Sequence, residues 1–309
     1  MRFDPYYLNS AVAALDQTSA VEQQLTTEIS SGNRVSSLSD DPVASGQNVL
    51  LSAQLKLDDS FSQTGSSAAG RLQVADSTLA SVVSQVTQAI SLATQANNGT
   101  MNASDLQSVA TQLSGIRDEV LSLANATYMG QYIFSGSQSS TLPYSMDTTS
   151  TSGTVVYNGD SGANAISYIT TPSGQKIQTN LPGDQIFSDA SNPSNPATNL
   201  LQTLTNLVAD FSSGTASGTA VSDTTALSAA LGFVSQQRVV LDNSITQLQT
   251  AQTYIQTQST QIVAAQTNLL QTDVAQVSTQ LSTAEIQQAA LTQVVNILEH
   301  DNGDLFSLL

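Results

Sequence analysis

Apolar residues recur at alternating spacings of three and four along both ends of this chain, and that period constrains the fold more than any other feature. Toward the C-terminal end, Val274, Val277, Leu281, Ala284, Gln288, Leu291, Val295 and Leu298 keep the spacing strictly, with seven of the eight apolar. Such a run is the seam of a coiled coil. Upstream, the same alternation passes through Leu231, Val234, Arg238, Leu241, Ile245, Leu248, Gln252 and Ile255 and reaches Ile262 and Leu269. The two registers miss by one residue near Leu269 and Leu270, which predicts a change of helix twist or a handover between packing partners there. A continuous helix over 223–300 would be about 115 Å long.

The polar face of this region is also informative. Between Val239 and Leu298 the only charged residues are Asp242, Asp273 and Glu285, and the rest of the polar positions are almost all Gln, Thr, Ser or Asn. A lone solvated helix carries Glu and Lys in alternation for local ion pairing. Amides and hydroxyls suit a helix with neighbours on several sides, although a plain composition bias would produce the same pattern.

The N-terminal half repeats the theme. A first helix is expected from about Pro5 to Ser31, with Leu8, Val12, Leu15, Leu25 and Ile29 on one stripe and Gly32-Asn33 to end it. In the following Asp40-Asp41-Pro42, Asp41 can accept hydrogen bonds from the free amides of a second helix, and Pro42 suits its first turn. That helix is expected to continue, with a weak point at Gly65–Gly70, into Leu72, Ala75, Leu79, Val82, Val86, Ala89, Ala93 and Ala96. At 39% apolar residues overall, eight apolar positions in one register arise by chance about once in two thousand. Asn97, Asn98 and Gly99 end it, and Ser104 with Asp105 opens a third helix bearing Leu106, Val109, Leu113, Ile116, Val120 and Leu123. Two long helices around a short turn make an antiparallel helical hairpin.

From Ser135 the composition changes to Ser, Thr, Gly, Asn and Pro. Alternating stretches at Gly153–Tyr157, Ala165–Thr170 and Gln175–Leu181, separated by turn residues, predict three short strands in one small sheet. A short helix with Leu200, Leu201, Leu204, Leu207, Val208 and Phe211 follows, then a Gly/Ser/Thr linker. The expected fold is therefore mainly α: an elongated coiled-coil helical bundle of N- and C-terminal segments with a small inserted β-rich domain. Residues 1–35 with 275–309 form a terminal coiled coil, 36–137 with 222–274 a helical rod, and 138–221 a variable insert whose composition suits a solvated surface.

Composition removes whole classes of function. Seven basic against 24 acidic residues leave a net charge of −17, which repels nucleic acid and anionic membrane surfaces. Without cysteine there are no disulfides, thiolate metal sites or thiol nucleophiles. The start carries no Sec-type signal and no transmembrane run, so an extracellular chain of this kind leaves by a route without signal cleavage. The lone histidine, His300, sits between Glu299 and Asp301, a terminal acidic cluster that reads as solvated rather than metal-binding. Asp40-Asp41, which helix capping explains, and Asp58-Asp59 are paired carboxylates for which the sequence offers no candidate catalytic base or nucleophile, and no glycine pattern makes a phosphate loop. The expectation is no enzyme, no cofactor and no metal.

Two segments carry a family resemblance. Ile29-Ser-Ser-Gly-Asn-Arg-Val-Ser-Ser-Leu-Ser-Asp-Asp-Pro42 resembles the segment after the first helix of bacterial flagellins and their hook-associated relatives, and Tyr128-Met-Gly-Gln-Tyr-Ile-Phe-Ser-Gly136 resembles the block that ends their helical hairpin. Asp40-Asp41-Pro42, the stretch Gly115–Asn125, and Pro143-Tyr144 look more like the hook-associated protein 3 branch than like flagellin. The motif positions are Asp40, Asp41, Pro42, Tyr132, Phe134 and Gly136. The resemblance covers about 1–145 and, by pattern, 223–309. It departs from the family at Met129-Gly130-Gln131, where Asn-Gly-Arg is usual, and in the tail, where only the apolar Leu305, Phe306, Leu308 and Leu309 suit a family end.

The resemblance implies a secreted structural protein of the bacterial flagellum, exported by the flagellar type III apparatus and joining hook to filament, with flagellin itself as the alternative. It implies copies of itself, a neighbouring hook-associated protein, flagellin and a flagellar export chaperone as partners, and a ring assembled through the terminal helices: Leu8, Val12, Leu15, Leu25 and Ile29 on the first, Val277, Leu281, Leu291, Val295, Leu298, Leu305, Phe306, Leu308 and Leu309 on the last. An unrelated coiled-coil adhesin or effector is a third reading. Terminal stripes too long to cover one another are expected to order on assembly. Tyr128, Tyr132 and Phe134 form either a partner patch or a plug under the hairpin, and the alternation of Tyr132 and Phe134 favours the plug.

Overall fold

The computed structural model describes residues 5–147, 154–188 and 199–306. In chain order they form α1 (Pro5–Ser31), α2 (Pro42–Ala96), α3 (Ala103–Ala124), strands β1 (Thr127–Tyr128), β2 (Gln131–Tyr132), β3 (Tyr144–Asp147), β4 (Thr154–Tyr157), β5 (Tyr168–Thr170) and β6 (Lys176–Gln178), then α4 (Leu200–Ser212), α5 (Ala220–Leu270) and α6 (Val274–Phe306). The fold is mainly α with a small β part, as the periodicity requires. It divides into two units: residues up to Lys56 with those from Thr257 onward, and Leu57–Gln256.

The larger unit holds the main core. All eight alternating residues from Leu72 to Ala96 are buried, as are Leu106, Val109, Leu113, Ile116 and Val120 of α3 and Leu227, Val234, Leu241, Leu248 and Ile255 of α5. α2 runs through Gly65 and Gly70 without a break. These glycines make room for neighbours: a Cβ on Gly70 would stand 2.8 Å from the Tyr128 hydroxyl, and one on Gly65 3.3 Å from Gln252. Asn102, rather than Ser104, caps α3: its side chain accepts from the Asp105 amide (3.0 Å) while Asp105 reaches back to the Asn102 amide, a capping box. Arg238 of α5 pairs with Asp76 of α2 at 2.8 Å.

The expected single sheet is replaced by separate hairpins. β3 pairs with β4, Tyr144 opposite Tyr157, and β5 with β6, Ile169 opposite Ile177. The chain between them cannot extend the ladder, because Ala163–Ala165 turns as one 3-10 helix and Asn180 spends its side chain on the Ala165 carbonyl and the Ser167 amide. β3 escapes a sequence reading because four residues, two of them Ser145 and Asp147, carry too short a period. The core also continues past residue 137. Ile177, Ile186, Phe187, Leu200, Leu204, Leu207 and Phe211 are buried in the same apolar cluster as α2, α3 and α5, and α4 packs on α3.

Candidate assembly interface

α1 and α6 pack on each other in the smaller unit. Leu25, Val277 and Ala284 are buried, with Ile29 and Leu281 against them. Gln288 Nε2 donates to Ser19 Oγ at 3.0 Å, so the helices run antiparallel. From Val274 to Ile297 the buried and half-buried residues of α6 are Val277, Leu281, Ala284, Gln288, Leu291 and Val295. They follow the three–four alternation; Val274 alone of its expected early members faces solvent, 50% exposed. On α1 the stripe is less faithful: Leu15 and Ile29 are half-buried, Val12 is 41% exposed, and Ala11, Ala14, Thr18, Ser19 and Glu22 fill the seam instead. Leu8, Leu298, Leu305 and Phe306 lie on the helix backbone, and Leu308 and Leu309 fall outside the described residues. Half of the residues expected to meet other subunits thus face one another within the chain, leaving the outer faces of both helices open.

Four helix ends converge just below this hairpin. Gly32 adopts φ +71° at the end of α1, the left-handed turn that stops a helix. The chain then bridges to the α5–α6 break: Asn33 pairs with Gln271, the Arg34 amide donates to the Leu270 carbonyl at 2.7 Å, and the Thr272 amide to that of Gly32 at 3.0 Å. The one-residue slip between the two heptad registers is therefore a full stop of α5, after which Asp273 caps α6 through the amides of Ala275 and Gln276.

The Asp40-Asp41-Pro42 motif ties the same junction together. Asp41 Oδ1 accepts from the amides of Val43 (3.1 Å) and Ala44 (3.0 Å), capping α2, while Oδ2 pairs with Arg34 at 3.1 Å. The Ala44 amide first, then Arg34, and the Val43 amide least, hold the Asp41 carboxyl below its ordinary range. Asp40 accepts from both the amides and the hydroxyls of Ser36 and Ser37, between 2.8 and 2.9 Å, and these donors, the Ser37 hydroxyl first, hold its carboxyl far below the usual value. The paired carboxylates are structural acceptors with separate partners. Arg34, Ser36 and Ser37 escaped the residue-level reading because serine and arginine in a loop carry no period.

The second motif is a plug. Phe134 is fully buried and meets Phe187 edge-on at 5.4 Å, and Phe187 meets Tyr144 likewise at 5.6 Å. Half-buried Arg71 donates to the carbonyls of Tyr132 (3.2 Å) and Ile133 (3.1 Å). Gly136, at φ +71°, has no room for a side chain, since a Cβ would stand 2.8 Å from the Asp160 carbonyl oxygen. Tyr132 is half-buried. Between β1 and β2, Met129 (φ +51°) and Gly130 (φ +79°) form the two-residue turn of the hairpin. Asn125 clasps β3, donating to the Tyr144 carbonyl (2.9 Å) and accepting from its amide (2.8 Å).

Among the described residues no group of three His, Asp or Glu could hold a metal ion, and no helix is long and apolar enough to cross a membrane.

Residues 6–139 match the bacterial flagellin N-terminal helical region. The chain is 34% identical over 142 residues to flagellar hook-associated protein 3 of Salmonella typhimurium, covering 44% of each, and 35% identical over 119 residues to the protein of that name from Escherichia coli K12, covering 38% of each. Each alignment thus spans less than half the relative's length. In fold, the chain is similar to the crystal structure of flagellar hook-associated protein 3 from Legionella pneumophila, at a TM-score of 0.61 and 14% identity over 71% of this chain and 98% of that one.

Proposed function

We propose that this chain, with its flagellin-type N-terminal helical region, is a structural adaptor of the bacterial flagellum that joins hook to filament. The observation that carries the reading is the similarity to hook-associated protein 3 over 142 and 119 residues, in a chain whose motif residues serve caps and a buried plug rather than catalysis. The terminal helices, 1–35 with 275–309, form the axial part of a ring of copies and 36–137 with 222–274 a helical rod, while the hairpins of 138–221 face outward and its Leu200, Leu204, Leu207 and Phe211 complete the core of the rod. The partners are a neighbouring hook-associated protein on one side, flagellin on the other, and an export chaperone before secretion through the flagellar type III apparatus.

The test is to delete the gene in its host, image the surface appendages by electron microscopy, and probe the medium for flagellin. Bare hooks with another flagellin shed into the medium are the expected result. Bare hooks with no flagellin anywhere would make this chain the filament subunit, and unchanged filaments would refute both readings.

A further inference from the structure

The first turns of α2 carry two apolar stripes, and the chain uses only one. Ala44, Asn48, Leu51, Leu55 and Asp58 are buried or half-buried on one face, where Gln266 of α5 donates to Asn48 (3.0 Å) and Ser52 (2.9 Å). One residue out of phase, Val43, Gly46, Leu50, Ala53 and Leu57 repeat the three–four alternation on a face open to solvent. Val43, Leu50 and Leu57 are 70%, 72% and 60% exposed. Large residues seven apart with small ones between them form the knobs and holes that a second helix fills, so the missing occupant is a helix.

The same unit exposes a second apolar stripe. On α6, facing away from the seam with α1, Ile286, Ala290, Val294 and Ile297 stand four, four and three residues apart, and Ile286 and Ile297 are 69% and 56% exposed. Charge selects the pairing. In a chain of net charge −17, residues 43–57 contain one charged side chain, Lys56, and 286–297 contain none. Two such acidic molecules can approach closely only where neither presents its charge. Each copy carries both stripes, and contact between unlike stripes adds subunits head to tail, so that the assembly closes into a ring or grows, whereas like-on-like contact stops at a dimer.

We propose that the exposed stripe of α2 centred on Leu50 docks on the α6 stripe centred on Ala290 of a second copy of this chain. The proposal rests on the ring-forming adaptor role and names the surface that builds the ring.

The absence of cysteine makes the test direct. The full chain is prepared as Leu50→Cys, as Ala290→Cys and as the double variant, all at exposed positions in the middle of a stripe, so that the pair meets whichever way the helices run. Each is expressed in the gene-deleted host, and sheared hook–filament particles are treated with a short bis-maleimide. The double variant is expected to give a ladder of dimers, trimers and larger species, each single variant only monomer, and an equal mixture of the two singles only dimer. Dimers from Leu50→Cys alone would overturn the proposal in favour of like-on-like contact. Monomer throughout, in particles that contain the protein by immunoblot, would overturn it while leaving the adaptor role intact. Particles that lack the protein would refute the adaptor role instead, and the stripe pairing is then decided by the same ladder on the concentrated purified chain, where monomer throughout overturns it.

Discussion

Replacing Leu25 with Ala should loosen the α1–α6 hairpin and leave the larger unit untouched. Leu25 is one of three buried residues in the hairpin's core, 8% exposed, and its buried companions are Val277 and the small Ala284. So thin a cluster collapses easily around a deletion, placing the change at the low end for Leu→Ala, about 2 kcal/mol, or roughly 30-fold in the opening equilibrium. Leu79 is completely buried among the α2 alternation, and Leu79→Ala should cost about 3–4 kcal/mol. Hydrogen exchange on the isolated full-length monomer separates the two. Amides of α1 and α6 should be weakly protected in the native chain and lose up to about 30-fold in protection with Leu25→Ala, while α3 amides and the urea midpoint stay put. Leu79→Ala should lower the urea midpoint and the protection of α3 together. If native α1 exchanges as slowly as α3, or Leu25→Ala shifts the urea midpoint as Leu79→Ala does, the terminal helices are part of one cooperative structure and ordering on assembly is refuted.

Met129 holds φ +51° in the β1–β2 turn with its side chain 84% exposed, so Met129→Asn should relieve left-handed strain at no packing loss and stabilise by about 1 kcal/mol, read as a higher melting temperature. Deletion of 138–221 should abolish folding, because it strips Leu200, Leu204, Leu207 and Phe211 from the core against α3; a deleted chain that melts cooperatively would contradict the shared core. Both Asp40 and Asp41 have depressed carboxyl values in the folded chain, so their support of the α1–α2 junction is fully present above the ordinary carboxyl range near ~4 and is lost as pH falls through the lower folded values. Carboxyl titration by NMR should place both below a free aspartate, and protection of the Val43 and Ala44 amides should fall only under acid conditions; an ordinary titration of Asp40 would break the argument.

The parts of the fold legible in the sequence were those governed by a period. The α2 alternation and the α6 seam buried nearly the residues that spacing selects, because a helix that meets one partner must repeat its contacts every three or four residues. The Asp41 cap was legible for a related reason: helix ends have a fixed chemistry. Where contacts are made by single residues, periodicity is silent. Arg71 reaching two carbonyls, Asn125 clasping β3 and Asn180 replacing a strand pairing involve partners far along the chain, and nothing local marks them. Composition misled in one place. Ser, Thr and Gly after residue 135 suggested a solvated surface insert, yet the apolar residues there sit in the common core. The exposed α2 stripe was present in the spacing as well, but two overlapping stripes one residue apart blur into a single apolar run until the structure shows which one α5 has taken.

A heptad seam read from sequence therefore does not say whose seam it is. Leu25, Val277 and Leu281 keep a spacing that suits contact between subunits, and the chain satisfies them internally; Val43, Leu50 and Leu57 keep the same spacing and are left open. The difference lies in what each face would meet. The hairpin seam is shallow, with an amide–hydroxyl contact at Gln288 and Ser19 in place of an apolar pair, and so remains exchangeable for better packing among neighbours. The open stripes lie in stretches nearly free of charge, on a molecule whose remaining surface is acidic enough to keep free copies apart. A subunit that must stay apart when free and pack closely in an assembly has opposing needs, and the proposed stripe pairing would meet both: repulsion over the acidic surface, and contact where the helix faces carry no charge.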